Sequence, residues 1–472
     1  MPIKVLIVED EDASLEETLA LLAKVDPEAE VLVAADWDTA LRHLEEFEFD
    51  LIICDLKIPP APNDLDADEA HGLAVHAGAQ ALCPGTPLIF LTGKATPTNV
   101  QRQLSFGAVA DFYGMGPTPL IQLAIKDGNR QEVGYITDMV DGLRSLQQCA
   151  IMDPDSSDLS ELMMRAILTY AKRLSATEVQ VASLSGLSGA EVARATFKMP
   201  NGQTRSILVK LQSLGAAQDE MRRYDVNVPN KLRLGYFAST AAPPLEHGLR
   251  KGAALYYSLA SDTSSLFLVA SEDSQTAASI IESMERDHGP WTSEHHVIEV
   301  NVGELRRSRL PDTHPGAARL LETPWINEVE SMRVPLRVCT THGDLHGLNV
   351  LVDLEHRATL IDYGDVGVSS AALDPITLEM SFLFHKEGPR EANNRSLEQL
   401  GAWTDLGTYG SGSKYDPVLR ACRAWAVRVA PPRTLYASAY AHAIRQLKYG
   451  DVDPDRAMAV ARSAGLALLD LA

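Results

Sequence analysis

Asp344, Asn349 and Asp362 stand in two short polar stretches, Thr341-His-Gly-Asp-Leu-His-Gly-Leu-Asn349 and Ile361-Asp-Tyr-Gly-Asp365. An amide oxygen and a carboxylate suit a hard cation such as Mg²⁺, and a second carboxylate can align or accept a hydroxyl proton. Between them, Val350-Leu351-Val352, a polar turn from Asp353 to Arg357, and Ala358-Thr359-Leu360-Ile361 predict a tight β-hairpin. Such a hairpin returns the chain to its start. It would set Asn349 beside Asp362 at one Mg²⁺ position and leave Asp344 facing an acceptor, which is the chemistry of phosphoryl transfer. His346 stays open between a structural hydrogen-bonder and a phosphate contact.

A second polar set lies near the N-terminus. Lys4-Val-Leu-Ile-Val8 runs into Glu9 and Asp10, Leu51-Ile-Ile-Cys-Asp55 ends on an acid, and Pro87-Leu-Ile-Phe-Leu-Thr92 ends on a hydroxyl. Amphipathic stretches such as Leu15 to Leu22 and Ala40 to Leu44 separate these apolar runs, so the expected fold is an α/β doubly wound parallel sheet. Its strand ends form the functional crevice. Clustered carboxylates there repel one another unless a divalent cation neutralises them.

Two family resemblances rest on these residues. His-Gly-Asp-x-His-x-x-Asn followed by Ile-Asp-aromatic-Gly resembles the aminoglycoside phosphotransferase and choline kinase group of protein-kinase-like enzymes. It implies a two-lobed α+β fold with a helical C-lobe, using ATP and Mg²⁺, with Asp344 at the acceptor hydroxyl and Asn349 and Asp362 on the metal. Residues 1 to about 125 resemble the receiver domain of two-component response regulators. That implies Asp55 as phosphoacceptor from a histidine kinase or other phosphodonor, Glu9 and Asp10 with Asp55 on Mg²⁺, and Thr92 as the hydroxyl switch residue. Receivers also carry a Lys after the fifth strand. Ala110-Asp-Phe-Tyr-Gly-Met-Gly-Pro117, read as that place, has none. Phosphorylation is therefore expected to change the output only modestly, through Thr92 and Phe112 or Tyr113.

The rest of the chain positions these sites. Val133, Ile136, Val140 and Leu143 fall at helical spacing and predict a connecting helix, and Asp158 with Glu161 suggests a capping box for another. Glu178 to Ala182, the small-residue loop Ser183 to Gly189, Glu191 to Phe197, an Asn201-Gly202 turn and Ile207-Leu-Val-Lys210 read as strand, loop and hairpin. This order resembles a kinase N-lobe. It implies a phosphate-covering loop at Ser185, Gly186, Ser188 and Gly189, Lys210 on the nucleotide phosphates, and Glu220 as the carboxylate that holds Lys210, with Asp219 as runner-up. Ala253 to Ala260 is the expected lobe hinge, and Ala-rich stretches after Asp365 predict a helical lobe.

The expected domains are a receiver at 1–125, a helical linker at 126–175, an N-lobe at 176–260 and a C-lobe at 261–472. The acidic loop from Asp64 to Glu69 either screens partners or is simply solvated. A formal net charge of −22 argues against general nucleic-acid or anionic-membrane binding. Five widely separated cysteines, no apolar run near 18 residues and no signal-peptide pattern lead to the expectation of a cytoplasmic protein. The acceptor is expected to be a small-molecule hydroxyl, because Gly343 stands where many protein kinases have an Arg. A nucleotide-binding pseudokinase scaffold and a Ser/Thr protein kinase remain as alternatives, and a homodimer stays open.

Overall fold

A computed structural model describes residues 2–92, 109–126, 131–152, 158–184, 190–260, 262–320, 323–389 and 395–471. The chain forms two compact units, Met1–Ala217 with Thr240–Ser261, and Gln218–Ser239 with Asp262–Ala472.

In the first unit, β1 (Lys4–Val8), α1 (Asp12–Val25), β2 (Glu30–Ala34), α2 (Trp37–Glu46), β3 (Leu51–Asp55), α3 (Glu69–Leu82) and β4 (Leu88–Thr92) alternate. Strand periodicity explains their apolar runs, because neighbouring residues serve opposite faces. Val5, Ile7, Ile53 and Leu91 pack with Leu21 and Leu22 of α1 and with Ile136 and Val140 of the helix Gln131–Ser145. Leu6, Val8, Ile52, Cys54 and Phe90 face Ala40 and Leu44 of α2 and Val75 and Ala79 of α3.

The fifth strand is not where the sequence reading put it. Val109–Asp111 (β5) and Pro117–Pro119 (β6) pair with each other as an antiparallel hairpin. Positive φ at Tyr113, Gly114 and Gly116 turns the chain between them, and the two prolines of β6 lack the N–H that a sheet ladder needs. Ile121–Ile125 (β7) is the strand that completes the parallel sheet, in the order β2-β1-β3-β4-β7.

The remainder of the unit is a six-stranded sheet in the order Thr240–Leu245, Gly252–Ser258, Thr204–Ser213, Glu191–Lys198, Glu178–Leu184 and Ala150–Ile151. The Asn201-Gly202 turn forms as expected, with Gly202 at φ +81°. Val181, Ala193, Phe197, Ile207 and Val209 share one core with Met163, Ile167 and Tyr170 of the helix Glu161–Arg173, and with Phe112, Tyr113, Met139 and Leu143. That helix is capped by Ser160, whose hydroxyl accepts from the Met163 N–H, rather than by Asp158.

The second unit carries two small sheets and a helical body. Arg333–Thr341 lies between His296–Asn301 and Gly367–Ser370, and Val350–Asp353 pairs with both Thr263–Ser265 and Ala358–Leu360. The helix Leu373–Phe384 is buried along its whole length, with Asp416–Val429 and Pro432–Arg445 packed against it. Its interior Glu379 is matched by a bidentate Arg423 and by the Trp403 indole N–H.

Candidate functional site

In the first unit, Glu9, Asp10 and Asp55 come together at the carboxyl ends of β1 and β3, each offering an oxygen within 4.8 Å of the others. Thr92 ends β4 beside them in the sheet, where Asp55 pairs with Leu91. The strand order places this crevice at the switch point between β1 and β3, where ligands bind in open α/β sheets.

Lys126 overturns the expectation that this site has no lysine. It follows β7 directly, its backbone N–H donates to the Thr92 carbonyl at 2.7 Å, and its Nζ lies 2.6 Å from Glu9 Oε2 and 2.7 Å from Asp55 Oδ2. The sequence signal was the alternating run Ile121-Gln-Leu-Ala-Ile125 ending in Lys126, masked by the β5–β6 hairpin that precedes it. Burial pushes the Glu9 carboxyl up to about 7 against the pull of Lys126. Burial also raises Asp10. Lys126 itself is held above its usual value, because its two carboxylate partners outweigh its own desolvation. Three clustered carboxylates, each with an oxygen within 4.8 Å of the others, are a donor set that fits Mg²⁺.

In the second unit the hairpin predicted between the two polar stretches forms, Val350 pairing with Leu360 and Val352 with Ala358. It returns Ile361 to Asn349, whose carbonyl accepts the Ile361 N–H at 3.1 Å. Asn349 donates its side-chain amide to the Asp344 carbonyl at 2.9 Å, so Asn349, Asp344 and the approach to Asp362 are tied in one loop. Asp362 takes φ +66°, a strained conformation of the kind that clusters at functional sites.

The loop is held by Asp374, in the first turn of the helix Leu373–Phe384. One carboxylate oxygen accepts the His342 N–H at 2.8 Å and the other the Gly343 N–H at 3.0 Å. Burial works against this buried carboxylate, but His288, His342 and these donors hold it below the usual range. His342 adds a bond from its ring Nε2 to the Ile361 carbonyl at 3.0 Å. Gly343 has φ +85°, and a Cβ there would meet the Asp365 carbonyl oxygen at 2.3 Å. No arginine fits this backbone without displacing Asp365.

Asp344 itself is one third exposed. Burial would raise it, but His346 and Arg445 hold its carboxyl below the usual range. Arg445 Nη1 lies 3.1 Å from Asp344 Oδ1, and His346 Nε2 lies 3.6 Å from Oδ2. Burial lowers the His346 ring and brings His385 down to about 4.

Of the nucleotide residues expected from sequence, Lys210 is buried on the strand Thr204–Ser213, between Val192 and Leu255 of its neighbours. Glu220 is buried in the second unit, whereas Asp219 is half-buried and engaged by Arg222 and Arg223. Ser185, Gly186, Ser188 and Gly189 lie outside the described residues. The histidines His295 and His296 are exposed. All five cysteines are free and buried. Among the described residues no helix is long and apolar enough to cross a membrane.

Residues 5–112 match the response regulator receiver domain, and residues 285–409 match the phosphotransferase enzyme family. The chain therefore joins a receiver domain to a kinase-like domain of the phosphotransferase type. The receiver match ends before Lys126.

Among solved structures, a CheY-like receiver domain from Methanospirillum hungatei JF-1 is 25% identical, with a TM-score of 0.23, covering 30% of this chain and 95% of that one. The choline kinase LicA from Streptococcus pneumoniae is 17% identical, with a TM-score of 0.34, covering 61% and 93%. The amicoumacin kinase hAmiN, in complex with AMP-PNP, Ca²⁺ and Ami, is 14% identical, with a TM-score of 0.34, covering 72% and 96%. No curated protein matches the chain.

Proposed function

We propose that this chain is a response regulator whose output is ATP-dependent phosphoryl transfer to the hydroxyl of a small molecule. The observation that carries the reading is the loop in which Asp344, Asn349 and the approach to Asp362 are bound together and fixed by Asp374. In the reaction the acceptor oxygen forms a bond to the γ-phosphorus of ATP, the bond to the β-γ bridging oxygen breaks, and ADP leaves. The hydroxyl proton moves toward Asp344. A loose transition state asks little of a base, so a carboxylate held below its ordinary pKa serves mainly to orient the hydroxyl. Asn349 and Asp362 would hold Mg²⁺, which supplies charge neutralisation on the phosphates. Lys210, Glu220 and the loop with Ser185, Gly186, Ser188 and Gly189 keep the nucleotide-binding roles read from the sequence.

The test is incubation of the full chain with labelled ATP·Mg²⁺ and separate panels of small alcohols, sugars, aminoglycosides and proteins. Label on a small molecule is the expected result. Label confined to a protein Ser or Thr, or nucleotide binding with no transfer at all, would replace this reading by one of its two rivals.

On the receiver side we propose that Asp55 accepts a phosphoryl group from a histidine kinase or another phosphodonor, with Mg²⁺ on Glu9, Asp10 and Asp55. Lys126, now paired with Asp55, would turn to the phosphoryl oxygens. A hydrogen bond to a charged group is worth about 1.5–3 kcal/mol, enough to separate the two states by roughly one to two orders of magnitude. Beryllofluoride, standing in for the phosphoryl group, should therefore change the transferase rate by up to that factor. Both Asp55→Ala and Lys126→Met should lose the response. A response that survives Lys126→Met would remove the lysine from the switch.

A further inference from the structure

One arginine stands against Asp344 and a second lies within electrostatic reach of it, on helices far apart in sequence. Arg309 ends the helix Val302–Arg309 and Arg445 ends Pro432–Arg445, and these helices pack together. Arg445 spends one guanidinium nitrogen on Asp344. Arg309 reaches the other flank of the catalytic strand, donating to Ser369 Oγ at 2.9 Å. Ser369 pairs with Cys339 in the strand Arg333–Thr341 that leads into His342 and Asp344. A guanidinium has five N–H donors, and for Arg309 the bond to Ser369 is a bond to a neutral oxygen.

The surroundings make this a matter of charge. Burial and the neighbouring Arg445 cation depress Arg309, which the carboxylates Asp365, Asp374 and Asp344 only partly offset. Each of those carboxylates already has work: Asp344 with Arg445 and His346, Asp374 with the loop N–H groups and His288, while Asp365 is exposed. Buried His442, on the same helix as Arg445, is pushed well down by burial and then by Arg445 and Arg309, so it adds no positive charge. Burial lowers His346 and His385 as well. One guanidinium thus stands against the carboxylate assigned to the acceptor, and a second, bonded to Ser369 on the strand beside the one that carries the loop, lies within electrostatic reach of it and of the first. Arginine's planar fork matches carboxylate and phosphate groups.

We infer that the acceptor is an anionic alcohol, a hydroxy compound bearing a carboxylate or a phosphate, whose charged group is held by Arg309 with Arg445 while its hydroxyl meets Asp344. The inference rests on the phosphotransferase reading above. It excludes cationic amino alcohols and aminoglycosides, which two arginines would repel. In the reaction the anionic group is untouched, and only the hydroxyl oxygen gains the phosphoryl group from ATP.

The experiment uses the full chain with ATP·Mg²⁺ and four matched probe sets: hydroxy acids such as glycerate, phosphorylated alcohols such as glycerol phosphate, neutral alcohols such as glycerol, and cationic alcohols such as choline. ATP·Mg²⁺ binding is measured in parallel by calorimetry. The expected result is transfer to one of the two anionic sets, which also tells carboxylate from phosphate. Arg309→Gln should then raise KM for that acceptor at least tenfold, and Arg309→Lys should restore part of the loss. Transfer to neutral or cationic alcohols at equal or better efficiency overturns the inference while leaving the phosphotransferase reading intact. So does an Arg309→Gln effect that falls on ATP·Mg²⁺ binding instead of acceptor KM. Absence of both ATP·Mg²⁺ binding and transfer overturns the phosphotransferase reading, and this inference with it.

Discussion

Asp344→Asn is expected to bind ATP·Mg²⁺ as the wild type does and to transfer phosphoryl about 10²–10⁴-fold more slowly, the usual scale for removing a group that takes or orients a proton. The amide fits the same space. It cannot take the hydroxyl proton, and it abandons the ion pair with Arg445 that now stands at 3.1 Å. Asp362→Asn should fail differently. It removes one charge from the position assigned to Mg²⁺, so Mg²⁺-dependent ATP binding weakens along with transfer. Calorimetry with ATP at several Mg²⁺ concentrations, together with single-turnover transfer rates, separates the two variants. Near wild-type transfer in Asp344→Asn would take that residue out of the site, and an unchanged Mg²⁺ dependence in Asp362→Asn would take it off the metal.

The largest expected effect on stability belongs to Asp50. Its carboxylate enters β3 from the end opposite Asp55 and is fully buried between Arg165 and Arg250, at 2.5 Å and 2.9 Å. It also accepts the Lys4 N–H at 2.9 Å. Burial would raise the carboxyl, but the two arginines outweigh that and hold it below its ordinary range. Because the folded state favours the ionised form, this stabilisation is present above the unfolded carboxylate pKa and is lost as pH falls through the lower folded value. Asp50→Ala leaves two buried guanidinium groups with only the partly exposed Glu161 as counter-charge. Breaking such a pair costs about 3–5 kcal/mol. Urea titration at neutral pH, followed by far-UV dichroism, should show the first unit unfolding that much more easily. A loss below about 1 kcal/mol would mean that the network is a bystander.

How much of this was legible in the sequence depended on where each residue's partners lie. Strands β1, β3 and β4 are buried on both faces, so their apolar runs announced themselves, and the acids at their ends fell into place. The Val350 to Leu360 hairpin was equally plain, because its turn and both strands are local. Lys126 was missed for a physical reason: β5 and β6 supply a short strand with glycines and prolines where a fifth strand was due, while β7 is only half-buried and weakly apolar. Asp374, Arg309 and Arg445 were beyond reach in another way. Nothing in their own neighbourhoods marks them, and only the packing of distant helices and strands brings Asp374 and Arg445 to one loop and Arg309 to Ser369 on the strand beside it.

The ion pair between Asp50 and Arg250 spans 200 positions of chain, which matters most while the protein is being made. At about 5–20 residues per second, the receiver sheet, complete once β7 has been made, can form roughly 6–25 s before Arg250 is synthesised. Through that interval Asp50 lacks one of its two cations, and the core that Phe112 and Tyr113 share with the six-stranded sheet lacks its later strands. A nascent chain held on the ribosome at that stage should expose this apolar surface to chaperones. Closing the unit then waits on a contact of long sequence separation, the kind that slows folding. A receiver cut out at residue 125 would keep that unfinished surface permanently.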